Sequence, residues 1–245
     1  MRTRIPRDAL MPTPILVSWS GGKDAAWTLH ALQADPHYDV IGLLTTVTDE
    51  YDRVAMHGIR RDVLHAQAAA VGLPLIEARL PRGADNTTYE ASFANALNAA
   101  RERWPELQHI AFGDLFLADV RAYRDALCAR FGWSPVYPLF GSDTHALADE
   151  MLASGLQATL CCVDTQQLDA SFCGRAFDAA LLDELPARVD RCGERGEFHT
   201  CVHAGPMLSR PLALHRGETV LRDGRFAFTD LLLAPLPSGE GAEGG

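Results

Sequence analysis

The chain has 245 residues, 47% apolar and 22% charged, with a formal net charge of −10; that is enough for one large α/β domain, or a domain with a smaller lobe, around a substantial core. The acidic balance argues against a sequence-independent grip on nucleic acid, which needs clustered Lys and Arg to replace phosphate counterions. Six cysteines without a CxxC pair argue against a disulfide scaffold and for free thiols in a reducing compartment.

Arg2, Arg4 and Arg7 are followed by Pro12 and Pro14, unlike a secretory signal, and no apolar run reaches the roughly 18 residues of a membrane span. A cytoplasmic protein with no membrane partner is expected. Residues 18–25 read SWSGGKDA after the apolar run Pro14-Ile15-Leu16-Val17, and residues 26–34 take a helix-like pattern, with Ala25, Leu29 and Leu32 on one stripe. A strand that turns through two glycines into a helix aims backbone N–H groups at a phosphate-sized space, with the positive helix end behind them. Within this candidate anion cradle Lys23 is the sole lysine of the chain, which suggests a need for a compact, flexible ammonium that a guanidinium would not meet.

Strand-like and helix-like segments then alternate. Val40-Ile41-Gly42-Leu43-Leu44 ends in Thr45, Thr46, Thr48 and Asp49; residues 59–71 predict a helix closed by Gly72; Leu73-Pro74-Leu75-Ile76 begins a strand. Residues 87–104 predict a longer helix stopped by Pro105, and His109-Ile110-Ala111-Phe112 a strand ending at Gly113-Asp114. Helices follow at 119–131 and 144–154, with strands at Val136-Tyr137 and at 156–163, the last ending at Asp164-Thr165. Repeated β-α units of this length predict a Rossmann-like α/β fold: a mostly parallel sheet with helices on both faces and right-handed crossovers. Ligands collect beyond the carboxyl ends of such strands, so Ser18, Ser20, Thr46, Asp114 and Asp164 are expected to converge on that edge.

From residue 198 onward the pattern shortens to β-rich pieces at 198–203, 212–215, 219–222 and 225–233, a small antiparallel appendage in which Arg222-Asp223-Gly224-Arg225 carries a tight-turn signal. The chain thus divides into an arm (1–13), an α/β domain (14–197), a small β-rich part (198–237) and a Gly/Glu tail (238–245) expected to be disordered.

SGGKD after the first strand resembles the pyrophosphate-binding loop of the PP-loop ATPases, within the adenine nucleotide α-hydrolase-like (HUP) superfamily. GDLFLADVRAYR from Gly113 to Arg124 and CGERGEFHT from Cys192 to Thr200, preceded by the stretch from Leu168 to Asp178, narrow it: residues 14–210 resemble the diphthine-ammonia ligase family and its bacterial-type relatives. One departure is Ala25, where the family usually has Ser, so a hydroxyl at the helix start is absent.

The resemblance implies an ATP-dependent ligase: a carboxylate attacks the α-phosphate of ATP, pyrophosphate leaves, and ammonia displaces AMP from the acyl-adenylate to give an amide. It implies ATP contacts from Ser18, Ser20, Gly21, Gly22, Lys23, Asp24 and Thr46, with Asp24 either a Mg²⁺ contact or an anchor of the helix N-terminus. Lys23, Asp114, Glu197 and His199 are the candidate catalytic residues, and Arg121, Tyr123, Arg124 and Glu194 the candidate binders of the carboxylate acceptor. On a strand over 198–203, Glu197, His199, Cys201 and His203 share one face, where Glu197 and His199 can handle the proton that ammonium must lose. The same face carries zinc-ligand types, but no second cluster completes a site. Cys161, Cys162 and Cys173 read as packing residues, and His57, His65 and His109 as ordinary helix or loop histidines.

Two alternatives stand beside this. A PP-loop tRNA-modifying enzyme is opposed by the acidic charge, the missing CxxC and the lack of an RNA-binding extension. A non-catalytic ATP- or AMP-binding module is favoured by Ala25. The acceptor and the oligomeric state stay open.

Overall fold

The computed structural model describes residues 11–235; most of the expected arm and the expected disordered tail lie outside the described residues. In chain order the elements are β1 (Thr13–Ser18), α1 (Lys23–Ala34), β2 (Tyr38–Thr48), β3 (Arg53–Val54), α2 (Arg61–Val71), β4 (Leu75–Leu80), α3 (Asn86–Arg103), β5 (His109–Ala111) and α4 (Ala118–Arg130). Then come β6 (Ser134–Val136), α5 (Thr144–Ala153), β7 (Gln157–Asp164), a short 3₁₀ turn (Ala170–Phe172), α6 (Ala179–Glu184), β8 (Phe198–Ala204), β9 (Leu214–Arg222) and β10 (Phe226–Leu233).

In sheet A the parallel strands lie in the order β4-β2-β1-β5-β6, and β3 adds an antiparallel stub to β2 beyond the end of β1. Ile15, Leu16 and Val17 of β1 are fully buried, as a central parallel strand covered on both faces requires. The chain winds one way from β1 through β2 to β4 and the other way through β5 to β6. The crevice between β1 and β5 is therefore a topological switch point, where such sheets take their ligands.

One face of sheet A packs Leu16, Leu44 and Ile110 against Phe93 and Leu97 of α3 and Leu127 of α4. The other packs Val17 and Leu43 against Leu29 of α1 and Leu64 of α2, and this core runs on without a break through Leu147 and Met151 of α5 into Val163, Phe198 and Ala227. Those last residues belong to sheet B, which is antiparallel in the order β8-β7-β10-β9.

Sheet B corrects one expectation. β7 does not extend the parallel sheet, and Asp164 does not reach the shared edge. The strand pairs antiparallel with β8 and β10, and Asp164 takes two bonds from Arg225, at 2.9 and 2.6 Å, which hold its carboxyl down at about 2. The reason is physical: an apolar run buried on both sides carries no information about the direction of its neighbours, and the preceding α5 mimics one more βα unit. The pieces at 212–215 and 219–222 merge into β9. The turn after it has Asp223 at φ 53° and Gly224 at φ 62°, two successive left-handed residues closed by Arg225 N on the Arg222 carbonyl (3.0 Å), in a three-residue connection that pairs Arg222 with Phe226.

The two sheets are locked at the loop after β1 by Gln67 of α2, which has no solvent exposure. Its Nε2 donates to the carbonyls of Gly21 (3.0 Å) and Val202 (2.7 Å), and its Oε1 accepts from Trp19 Nε1 (3.2 Å). No helix among the described residues is long and apolar enough to cross a membrane.

Gln67→Leu keeps the volume but removes all three bonds and leaves the buried Trp19 Nε1 without its acceptor, so it is expected to cost about 2–4 kcal/mol of stability. Urea unfolding checks this: the midpoint falls at an unchanged m value, and an unshifted midpoint would mean that the Gln67 bonds are not what joins the sheets.

Candidate active site

The loop between β1 and α1 needs its glycines. Gly21 has φ +79°, and a Cβ there would lie 2.6 Å from Gln67 Oε1; one on Gly22 would meet His57 Cε1 at 3.0 Å and the Thr200 carbonyl at 3.1 Å. Ser20 Oγ accepts from Gly22 N (3.3 Å), Thr200 Oγ1 accepts from Lys23 N (3.0 Å), Val202 N donates to the Gly21 carbonyl (2.9 Å), and the helical ladder starts with Ala26 N to the Gly22 carbonyl (3.0 Å). Among the described residues the amides of Ser20, Gly21, Asp24 and Ala25 take no acceptor. Unpaired N–H groups at a helix start, placed at the switch point, make this loop a candidate anion site.

Lys23 corrects the picture of a mobile charge. It is 2% exposed, its Nζ bonds both oxygens of Asp24 at 2.9 and 2.8 Å and also the Cys192 carbonyl, and it lies 5.7 and 5.6 Å from the ring centroids of Phe177 and Phe198. Burial works against the ammonium, yet Asp24 outweighs it and the pKa stands above the ordinary lysine value. Both carboxylate oxygens of Asp24 thus accept from the Lys23 ammonium. Among the described residues no group of three or more His, Cys, Asp or Glu is placed to hold a metal.

Gly113 follows β5 and lies against the first turn of α1: a Cβ there would come within 2.9 Å of the Asp24 backbone. That close approach brings Asp114 beside the loop, where Arg124 of α4 pairs with it, Nε at 2.6 Å, and rests over the Phe112 ring at 4.4 Å. Its neighbours on α4 face elsewhere. Tyr123 Oη reaches Asn86 (3.4 Å) and Glu90 (3.3 Å), and Arg121 covers the rings of Tyr137 and Phe140 at 4.9 and 4.5 Å. Neither is brought to the loop by these contacts.

The two glutamates of CGERGE differ in kind. Glu197 is buried, with Oε1 accepting from Asp190 N and Oε2 from Arg195 N, both at 2.9 Å; it staples the loop that presents the Cys192 carbonyl to Lys23. Glu194 crosses to the end of β5, where Oε1 accepts from Leu115 N (2.8 Å) and Phe116 N (3.3 Å). Burial raises its pKa to about 6, the two backbone bonds oppose that, and the nearby Asp24 and Asp114 add to it.

On the far side of the loop His199 of β8 lies against His57, ring centroids 4.4 Å apart and planes tilted by 38°. Burial, and then the Lys23 charge, push His199 down to about 4, and burial and then His199 push His57 well below the ordinary value, so both are neutral at pH 7. His57 was indistinguishable from a loop histidine in the sequence. The available signal was its position just after the carboxyl end of β2, on a segment that Ala55 N ties to the Thr46 carbonyl at 3.0 Å. Ser18 and Thr46 stand at the ends of β1 and β2, half-buried. The zinc types on β8 include Cys201, fully buried, and all six cysteines are buried thiols.

Comparison with known proteins adds to this geometry. Residues 13–135 match the diphthamide synthase N-terminal domain family and residues 143–226 the diphthamide synthase C-terminal domain family. A diphthine–ammonia ligase of Schizosaccharomyces pombe is 24% identical over 219 residues, 82% of this chain but 36% of that protein, so the chain spans about a third of that relative. Diphthine–ammonia ligases of Danio rerio and Homo sapiens are each 25% identical, over 85% and 82% of this chain and 89% and 83% of theirs.

Because the fold raises the Glu194 pKa from 4.5 to about 6, the folded chain binds this proton more tightly than the unfolded one. Its contribution to stability is greatest below pH 4.5 and is lost as pH rises to about 6. The Glu194→Gln variant should lack that step, so the difference in thermal midpoint between it and the wild type should change across this window. A difference that is constant with pH would return Glu194 to an ordinary carboxylate.

Proposed function

The chain belongs to the diphthamide synthase family, and on that premise we propose that it is an ATP-dependent ligase that adenylates a carboxylate and converts it to an amide with ammonia. One observation carries the reading: the unpaired amides of Ser20, Gly21, Asp24 and Ala25 at the β1–β5 switch point, a cradle suited to the pyrophosphate half of ATP. The names of the three relatives support the same reaction class.

A carboxylate oxygen attacks the α-phosphorus of ATP, and the bond to the β-phosphate oxygen breaks. The charge that grows on the departing pyrophosphate falls on fixed N–H dipoles and the α1 start, groups that need no reorganisation as the bond breaks. Lys23 contributes at one remove: with its ammonium spent on Asp24 and the Cys192 carbonyl, it fixes the loop and neutralises the acid beneath it. Magnesium would come with the nucleotide, and no step is assigned to a metal held by Asp24.

Ammonia then attacks the acyl carbon and AMP leaves. The nitrogen arrives as ammonium and must lose a proton, and the best base has a pKa near the working pH. Glu197 has both oxygens occupied, and His199, at about 4, is a weak base. Glu194, at about 6 and beside Asp114, is the better tuned group. Of the α4 candidates, Arg124, held by Asp114 beside the loop, is the cation suited to an incoming carboxylate.

With ATP, Mg²⁺, ammonium and a panel of carboxylates, the protein is expected to release AMP and pyrophosphate in equal amounts, only when an acceptor is present, as read by chromatography of labelled ATP. Release of ADP and phosphate would overturn the adenylation step. Glu194→Gln should lower kcat while leaving ATP affinity within about twofold.

A further inference from the structure

A cavity of about 550 Å³ opens at the carboxyl edge of β2 and β4, within the size range of small-molecule sites. One wall is the segment 48–58 with Arg82, just past β4, and the other is the inner face of β9 and β10. His57, whose neighbours Ala55, Met56 and Gly58 line this cavity, touches Gly22 on its other side; the two sites share that segment as a wall but no lining residue described for the loop.

The cavity has the marks of a built site. Tyr51, Arg82 and Arg222 come from three separate segments, and both guanidiniums sit over the Tyr51 ring, at 5.6 and 5.7 Å. Met56 is 77% exposed and holds a left-handed φ of +64°, a strained conformation for a long side chain, of the kind that clusters at ligand clamps.

The lining charges are balanced in an unusual way. Asp230 is consumed by Arg53 and Arg60, each at 2.8 Å. The remaining four, Arg82, Arg222, Glu218 and Asp223, form no ion pair with one another or with any other described residue. Two free cations and two free anions around an apolar floor of Val54, Val220 and Phe228 match a ligand that carries both signs.

We propose that this cavity is a second ligand site, for an amino-acid-type zwitterion with an apolar side chain. The carboxylate goes to Arg82 and Arg222, the ammonium to Glu218 and Asp223, and the side chain covers Met56 and Phe228. The site stands on these residues alone and does not depend on the adenylation reaction.

Calorimetry with L-phenylalanine, 2-phenylethylamine and 3-phenylpropanoate, in the absence of ATP, separates the charges. Phenylalanine should bind about tenfold tighter than either single-charge analogue. The double variant Arg82→Ala/Arg222→Ala should bring phenylalanine down to the level of phenylethylamine while leaving phenylethylamine binding unchanged, which also reports an intact fold. Glu218→Gln/Asp223→Asn should bring phenylalanine down to the level of phenylpropanoate. Equal affinity for all three probes, no phenylalanine binding up to about 10 mM, or double variants that bind like the wild type would each overturn the assignment.

Discussion

The ammonium of Lys23 is the knot on which the site depends. Burying it costs several kcal/mol unless it is fully paired, and here every donor direction is used, on the two oxygens of Asp24 and on the Cys192 carbonyl, beside the rings of Phe177 and Phe198. A compact charge with three rotatable donors suits such a pocket, and a planar fork would not. The knot joins the start of α1 to the 190–197 loop. Through Glu194 that loop reaches the end of β5, and through Glu197 it closes on itself. Segments far apart in sequence are thus held in register by one buried cation.

Sheet B is consequently part of the site and not an addition to it. β8 supplies Thr200 to the first amide of α1, Val202 to the Gly21 carbonyl, and His199 to the contact with His57, while Gln67 binds loop, α2 and β8 in one cluster. The uninterrupted core beneath both sheets is what allows this. A loop whose shape is fixed by bonds to two sheets keeps its free amides aimed before any anion arrives, and preorganisation of this kind gives dipoles their value in catalysis.

The β-α alternation was legible because each boundary carries its own chemistry. Gly72 ends α2 in a left-handed cap, with its N–H on the Ala68 carbonyl; Pro105 follows α3; and glycines turn the chain at residues 21 and 113. The strand-to-helix turn of the loop was legible for the same reason. The partner of β7 was not, since burial on both faces erases the alternation that would betray an antiparallel pair. β3 and α6 are too short for a periodic signal. A period-two argument put Glu197 beside His199, and that spacing says nothing of which acid is spent on backbone amides. His57 owes its place entirely to a contact with a distant strand.

Charge compensation narrows the chemistry further than residue type does. The acids around the loop are Asp24, Asp114, Asp190 and Glu194, an arrangement that would repel a polyphosphate if left bare. Lys23 neutralises Asp24, Arg124 neutralises Asp114, and Asp190 is turned inward to Thr144 and to the amides of Cys192 and Glu194. Among the described residues Glu194 pairs with no cation, and burial together with the residual field of Asp24 and Asp114 lifts its pKa to about 6. An acid left uncompensated where its neighbours are all paired is the group whose proton is easiest to move near neutral pH, and the unpaired amides of the β1–α1 loop lie on the adjoining turn. The same economy of charge leaves the loop with N–H groups rather than free cations among the described residues, so what it offers a ligand is direction and not net attraction.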